Sequence, residues 1–321
     1  MTRTMMIDPT SRRLDLSVSP HLHSRWTTGK VMWIVVLALL PPLAAGVLFF
    51  GTFQLLVAAV AIIVANATEA AALSLRKKPI TLSDGSATVT GLLLALTLPP
   101  NISLPFVAIG AVVAIGLGKQ VFGGVGYNIF NPALVGRAFL QAAFPLAMTT
   151  YTLPSPAVDG ITSATPLAYK FLEGGDTPLL ALFLGNISGS IGETSKLAIL
   201  IGGMILVMVG IVNWRIPVTI LAGVALFSGI FWLINPATYA DPLFHLMSGG
   251  LMLGAFYMAT DWVSSPVTHK GMLIFGAGIA LLVVFIRLFG SLPEGVMYSI
   301  LIMNAFVPMI NRYVRPKVFG A

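Results

Sequence analysis

Asp84-Gly-Ser-Ala-Thr-Val-Thr-Gly91 runs straight into Leu92-Leu-Leu-Ala-Leu-Thr-Leu98 and stops at Pro99-Pro100-Asn101. An apolar run opened by an acid and small residues and closed by two prolines is a helix too short for a membrane. Residues 85–98 make a helix of roughly 21 Å at about 1.5 Å per residue, against about 30 Å of hydrocarbon. Further along, Gly250-Leu-Met-Leu-Gly254 echoes Gly91-Leu-Leu-Leu-Ala95, and acids precede both, Asp241 and Asp84. A weaker echo links Gly124-Val-Gly-Tyr127 and Asn131-Pro-Ala133 with Gly295-Val-Met-Tyr298 and Asn304-Ala305.

The surrounding chain is lipid-soluble. Hydrophobic residues make up 57% and charged residues 9% of the 321, and the mean hydropathy is +0.93. Soluble domains carry about a quarter charged residues, so the composition describes an all-α integral membrane protein. Apolar runs at 31–50, 53–75, 85–98, 102–118, 129–147, 196–212, 216–234, 243–259, 271–289 and 295–310 predict about ten transmembrane helices. The echoes are offset by five runs, an odd number, so the two five-helix halves are expected to be inverted repeats. Short, interrupted helices at matching places in two such halves mark discontinuous helices meeting near the bilayer centre. For a single glycine the plainer reading is close helix packing.

Basic residues set the orientation, because Lys- and Arg-rich segments stay cytoplasmic. Arg3, Arg12, Arg13, Arg25, Lys30, the run Arg76-Lys77-Lys78, Lys119, Arg215, Lys270, Arg312, Arg315 and Lys317 fall on one side, and Lys170, Lys196 and Arg287 on the other. The expected layout is a cytoplasmic arm at 1–30, a first repeat at 31–147, an extracytoplasmic loop at 148–195, a second repeat at 196–311 and a cytoplasmic tail at 312–321. The arm has no cleavable signal pattern. The net charge of +7 is thereby explained by topology and membrane lipid, without nucleic acid.

Cysteine is absent, which excludes disulfides and Cys-ligated iron–sulfur clusters. His21, His23, His245 and His269 are not spaced to face each other across a haem. An electron carrier in this chain must be organic, or belong to a partner.

Within the long polar interval lies Asp159-Gly-Ile-Thr-Ser-Ala-Thr-Pro-Leu167. Thr162, Ser163 and Thr165 offer hydroxyls on a thinly covered backbone, beside the small Ala164, and Pro166 biases Thr165 toward an extended conformation. Read on its own, the segment is either a solvated connector or a recognition sequence for another enzyme. The pattern Asp-x-x-Thr-Ser-Ala-Thr resembles the flavinylation sequence of the membrane subunits of the Rnf complex and the sodium-pumping NADH:quinone oxidoreductase. Further stretches are similar to the same family: Asp84–Asn101, Phe122–Asn128, Asn131–Leu134, Arg137–Phe139, Thr260-Asp261 and Glu294–Asn304. The length and short arm look closer to the Rnf D-subunit branch. Asn311 departs from the family, which often has an acid there.

The resemblance implies FMN esterified through its phosphate to Thr165 by a flavin transferase, with Asp159 serving attachment or standing as a solvated acid. It also implies a bacterial inner-membrane subunit with both termini cytoplasmic, and an activity exercised only within a complex that couples electron transfer between ferredoxin and NAD to Na⁺ or H⁺ translocation. The implied partners are other membrane subunits, an FMN-bearing extracytoplasmic subunit and soluble iron–sulfur subunits. Ionisable groups in spans are costly and hence functional candidates. Glu69, Asp84 and Asp261 are the ion-pathway candidates, although Glu69 also has the basic cluster at Arg76 to pair with and Asp84 suits a helix start. No firm metal site emerges. Arg137, near Asn128 and Asn131, needs a carboxylate, a carbonyl or a second, non-covalent flavin such as riboflavin. The alternative function is a small-solute channel or secondary transporter on the same inverted-repeat fold.

Overall fold

The computed structural model describes residues 26–154, 162–163, 165–169, 178–236, 238–290 and 294–315. Helix α1 (Thr28–Phe50) starts where the Thr27 side chain accepts from the Lys30 amide, and α2 (Phe53–Leu75) follows a tight turn at Gly51. A 3-10 turn at Leu82–Asp84 leads into α3 (Ser86–Leu96). Then come α4 (Leu104–Ile115), widening into a π-helical stretch at Gly116–Gln120, α5 (Pro132–Ala143) and α6 (Pro145–Thr149). Strand β1 (Tyr151–Thr152) pairs antiparallel with β2 (Thr162–Ser163), with Tyr151 opposite Ser163. Two short helices, α7 (Pro166–Tyr169) and α8 (Leu179–Leu184), precede α9 (Lys196–Met208) and α10 (Arg215–Ile234). Next are α11 (Pro242–Met247) and α12 (Leu251–Leu253), the latter widening into a second π-helical stretch at Gly254–Met258. The long α13 (His269–Phe289) and α14 (Val296–Tyr313) complete the described elements.

The chain is an all-α multi-pass membrane protein. Four helices, α1, α2, α10 and α13, are long and apolar enough to cross a bilayer; α3, α9 and the stretch Leu104–Gln120 are apolar but shorter. Large apolar side chains such as Leu37, Leu48, Ile63, Leu226, Leu281 and Phe285 are exposed on the long helices, where only lipid suits them.

The shorter runs have identifiable causes. Helix α3 ends because Pro99 and Pro100 lack amide hydrogens. Its exposed carbonyls are not left bare: Gly192 N donates to Leu96 O at 2.7 Å and Ile191 N to Leu98 O at 3.0 Å. A broken helix is tolerable at membrane depth only when protein replaces the missing partners. The fifth apolar run breaks at Phe144 ahead of Pro145, and the eighth breaks at Ser248–Gly250, where Gly249 has φ +66°.

Backbone-to-backbone approach fixes the packing. At Gly91 on α3 a Cβ would lie 2.7 Å from the Ala61 carbonyl of α2. At Gly202 on α9 it would strike the Ala38 carbonyl of α1 and the Tyr257 hydroxyl. That hydroxyl lies 3.0 Å from Ala38 O and 3.1 Å from Ile199 O, so one donor is shared between carbonyls of α1 and α9. Gly202→Leu is expected to separate the two helices and cost at least the ~1–3 kcal/mol of an overpacked core. Lower thermal stability of the purified protein, with Gly202→Ala intermediate, is the outcome to look for.

Candidate functional site

Charged residues are scarce, and among the described residues most of the buried ones gather in two groups, each at a helix break or opening. The first sits where α3 begins. Asp84 Oδ1 accepts from the Ser86 amide at 3.0 Å and from its hydroxyl at 2.8 Å, which fixes the opening turn. The Lys119 ammonium, turned inward by the π-helical stretch, donates to Ser86 Oγ at 2.7 Å and contacts both Glu69 oxygens, at 2.7 and 2.9 Å. Gln120 Nε2 adds a bond to Glu69 Oε1 at 3.1 Å, and Arg76 donates to the Gln120 carbonyl. Both Glu69 and Lys119 are 3% exposed, so this is a buried ion pair. Lys119, expected as a loop charge, is therefore in the interior, and Glu69 pairs with it while Arg76 binds a carbonyl instead.

The second group surrounds the break between α11 and α12. Arg287 donates to the carbonyls of His245 at 2.6 Å and Ser248 at 3.0 Å, and Lys196 to those of Gly249, at 3.1 Å, and Glu193. Glu294 accepts from the Gly250 amide through Oε1 and from Arg137 Nη2 through Oε2 at 3.0 Å. The side chains thus supply what the interrupted helix lacks: cations for its free carbonyls, a carboxylate for its free amide. Glu193 Oε1 accepts from the Ser190 amide at 2.7 Å. Lys196 and Arg287, expected as extracytoplasmic loop charges, are 0% and 3% exposed. Burial pushes the Glu193 carboxyl up, Glu294 adds to this, and Arg137 and Lys196 pull the other way. Burial also works against the Glu294 charge, but Arg137 and Arg287 outweigh it and hold that carboxyl below its ordinary range. The Tyr151 phenol is pushed up by burial and by Glu193.

Where α5 meets α14 and the loop after the second π-helical stretch lies a third, mostly neutral set. Asp261 accepts from Ser264 Oγ at 2.9 Å and Asn128 Nδ2 at 3.4 Å; burial raises its carboxyl, and those bonds partly offset the rise. Asn131 caps α5, donates its side chain to Met258 O at 3.1 Å, and donates its amide to Asn304 Oδ1 at 3.3 Å. Asn304 in turn donates to Ser264 O at 2.8 Å. The two asparagines of the weaker sequence echo therefore touch. Ser86, Lys119, Asn128, Asn131, Tyr257 and Asp261 help line a cavity of ≈ 100 Å³.

Thr165 is buried, at 9% exposure, just before α7. Its segment touches the second group on both sides. Ser163 pairs with Tyr151, whose phenol interacts with Arg137, and the Leu167 side chain packs at Gly249 beside Arg287 and Glu294. Of Thr162 and Ser163 only the backbone is described, and Asp159 and Ala164 lie outside the described residues.

Arg137 and Asn128, named together from sequence, part company: Arg137 has Glu294 as its carboxylate, while Asn128 holds Asp261. Asn311 accepts from the Val267 amide at 3.2 Å. Sequence reading missed the convergence of Glu193, Lys196, Arg287 and Glu294. The available signal was a lysine opening one apolar run and an arginine closing another, each needing an anionic or carbonyl partner.

A family model described as "NQR2, RnfD, RnfE family" matches residues 15–320. Among curated relatives, the D subunit of the proton-translocating ferredoxin:NAD(+) oxidoreductase complex of Clostridium ljungdahlii is 46% identical over 316 residues, covering 95% of this chain and 96% of the relative. The D subunit of the Na(+)-translocating ferredoxin:NAD(+) oxidoreductase complex of Acetobacterium woodii is 46% identical over 311 residues, covering 96% and 95%. The D subunit of the ion-translocating oxidoreductase complex of Stutzerimonas stutzeri is 41% identical over 329 residues, covering 92% and 93%.

Proposed function

The chain belongs to the NQR2, RnfD, RnfE family, and from that premise we propose that it is one membrane subunit of an ion-translocating ferredoxin:NAD⁺ oxidoreductase complex, carrying electrons through FMN esterified to Thr165. The observation that carries the attachment is the setting of Thr165. Through Leu167 at Gly249 its segment rests on a buried group that, among the described residues, holds three cations, Arg137, Lys196 and Arg287, against two carboxylates, Glu193 and Glu294. One surplus positive charge suits the single negative charge of a phosphodiester. When bound, FMN supplies one- and two-electron chemistry, which the protein tunes through hydrogen bonds and nearby charge. The chain itself anchors and screens: Thr165 Oγ1 fixes the phosphate end, and covalency keeps the carrier near its partners at constant effective concentration. Because Thr165 is buried once its segment docks, the transferase must reach it before docking.

On this reading the protein lies in the bacterial inner membrane with both termini cytoplasmic and Thr165 extracytoplasmic. Residues 31–147 and 196–311 form two inverted repeats of about five crossings each. In support, α2 packs on α4 as α10 packs on α13, α4 packs on α5 as α13 packs on α14, and α1 meets α9 at the seam. The partners are other membrane subunits, an FMN-bearing extracytoplasmic subunit, soluble iron–sulfur subunits that supply the cysteine ligands this chain lacks, and the flavin transferase. A non-covalent riboflavin finds Arg137 already paired with Glu294, and the cavity near Asn128 and Asp261 does not admit it as it stands. At ≈ 100 Å³ the cavity is below the roughly 300 Å³ at which small-molecule sites begin, so its walls would have to part. A flavin assay on the purified complex that finds FMN alone removes riboflavin. Mass spectrometry of the peptide containing residue 165 tests the main reading: an unmodified threonine in active, assembled complex overturns it.

The ion is open to direct measurement, since relatives named for protons and for Na⁺ are equally similar at 46%. Electron-transfer-driven uptake in vesicles, with and without Na⁺, is the experiment. Glu69→Gln is expected to uncouple uptake from electron transfer, because it removes the charge that holds Lys119. Asp84→Asn is expected to leave coupling in place, since Asp84 Oδ1 is occupied by Ser86. Unchanged coupling in Glu69→Gln excludes that residue from the path.

A further inference from the structure

Glu193 is 3% exposed, yet its Oε2 is, among the described residues, the one buried carboxylate oxygen without a hydrogen-bond partner. It converges with Glu294 Oε1 on the break in the helix: a Cβ at Gly250 would lie 3.1 Å from Glu193 Oε2 and 2.7 Å from Glu294 Oε1. Among the described residues, the charged and titratable groups around the pair come from four elements. They are Arg137 from α5, Tyr151 from β1, Lys196 from α9 and Arg287 from α13, with His245 of α11 giving its carbonyl to Arg287. The segment of Thr165 lies directly on this set, since a Cβ at Gly249 would meet Leu167 Cδ1 at 2.8 Å and both Arg287 Nη2 and Glu294 Oε1 at 3.1 Å.

We propose that Glu193 is a redox-linked proton site: it takes one proton onto Oε2, pointing it at Glu294 Oε1, when an electron arrives on the group carried by Thr165, and gives it up when the electron leaves. This rests on the reading of Thr165 as the flavin anchor. The argument is charge neutrality in a low-dielectric interior, where an uncompensated charge is expensive. With both carboxylates ionised, the surplus positive charge balances the phosphodiester. One further electron unbalances the set, and the buried Glu193 oxygen that accepts no hydrogen bond is where a compensating proton displaces nothing. The electron comes from a reduced one-electron carrier and passes to the next carrier; the proton comes from extracytoplasmic water and returns to it, so charge and atoms balance over the cycle. Burial and Glu294 push the Glu193 carboxyl up, the direction that favours taking a proton.

The test is a reductive titration of the covalent flavin in the intact complex at a series of pH values. In the wild type, a group linked one-to-one to a one-electron couple adds up to a tenfold change in the reduction equilibrium per pH unit, about 59 mV, across its titration range. Glu193→Gln, neutral at every pH, is expected to lose that contribution with its flavin still attached, and Glu193→Asp to recover it. An unaltered pH dependence in a fully flavinylated Glu193→Gln complex overturns the proposal. If Glu193→Gln fails to assemble, the wild-type infrared redox difference spectrum decides: a protonated carboxyl band gained on reduction supports the site, and its absence sinks it. A wild-type complex with no covalent flavin to titrate counts against the anchor itself, a separate result.

Discussion

Thr165→Val turns dark the 33.9 kDa band that fluoresces under ultraviolet light on a denaturing gel of membranes. The substitution is chosen for shape: valine keeps the branched outline of threonine, so the half-hidden segment between β2 and α7 still packs, and only the hydroxyl oxygen that accepts the phosphate is lost. Fluorescence that survives denaturation reports a covalent bond, and the expected loss is complete. A variant that stays bright places the attachment elsewhere. A wild-type band that is dark with the transferase present favours a solute-conducting protein. A dark variant with full electron transfer would make the flavin idle, whereas the proposed role requires activity to fall with the fluorescence.

Arg137→Met lowers stability by about 3–5 kcal/mol, because it strips the counter-charge from Glu294 in a site where both side chains are largely hidden, at 8% and 14% exposure. The loss is caused by the stranded carboxylate more than by the missing bond. Arg137→Met with Glu294→Leu is therefore expected to regain most of it. Recovery stops short of wild type, because the Gly250 amide, which Glu294 accepts from, is left unsatisfied at about 1–3 kcal/mol. Thermal unfolding of the solubilised complex followed by loss of the subunit decides this. A double variant no better than Arg137→Met alone would mean that the pair is not the main term at this site.

The sequence makes the helical class plain, since composition and run length report solvent directly. It also exposes the short third run, because Pro99-Pro100 can only end a helix, and the eighth, because its Gly-rich opening repeats the pattern. What it conceals is where those breaks find their missing hydrogen bonds. Ile191 and Gly192 serve Leu96 and Leu98 from nearly a hundred residues away. Lys196, Arg287 and Glu294 read as ordinary flank charges until the fold puts them around Ser248–Gly250. Charge counting along loops assumes that a basic residue at the edge of an apolar run faces water, and Lys119, Lys196 and Arg287 each break that assumption. The candidate site was legible in parts: Asn131 and Asn304 through their echo, Arg137 only as a charge in need of a partner, while Thr165 rests on its local pattern and awaits its test.

The shared hydroxyl of Tyr257 restricts how this protein moves. Held against Ala38 on one helix and Ile199 on another, beside a glycine that has no room for a larger side chain, it ties α1 to α9. A carrier that rocks one bundle past the other to expose its cargo alternately would have to shear that tie at each turnover. Any slide of α1 against α9 breaks both contacts at once, a cost that a route through the interrupted helices does not carry.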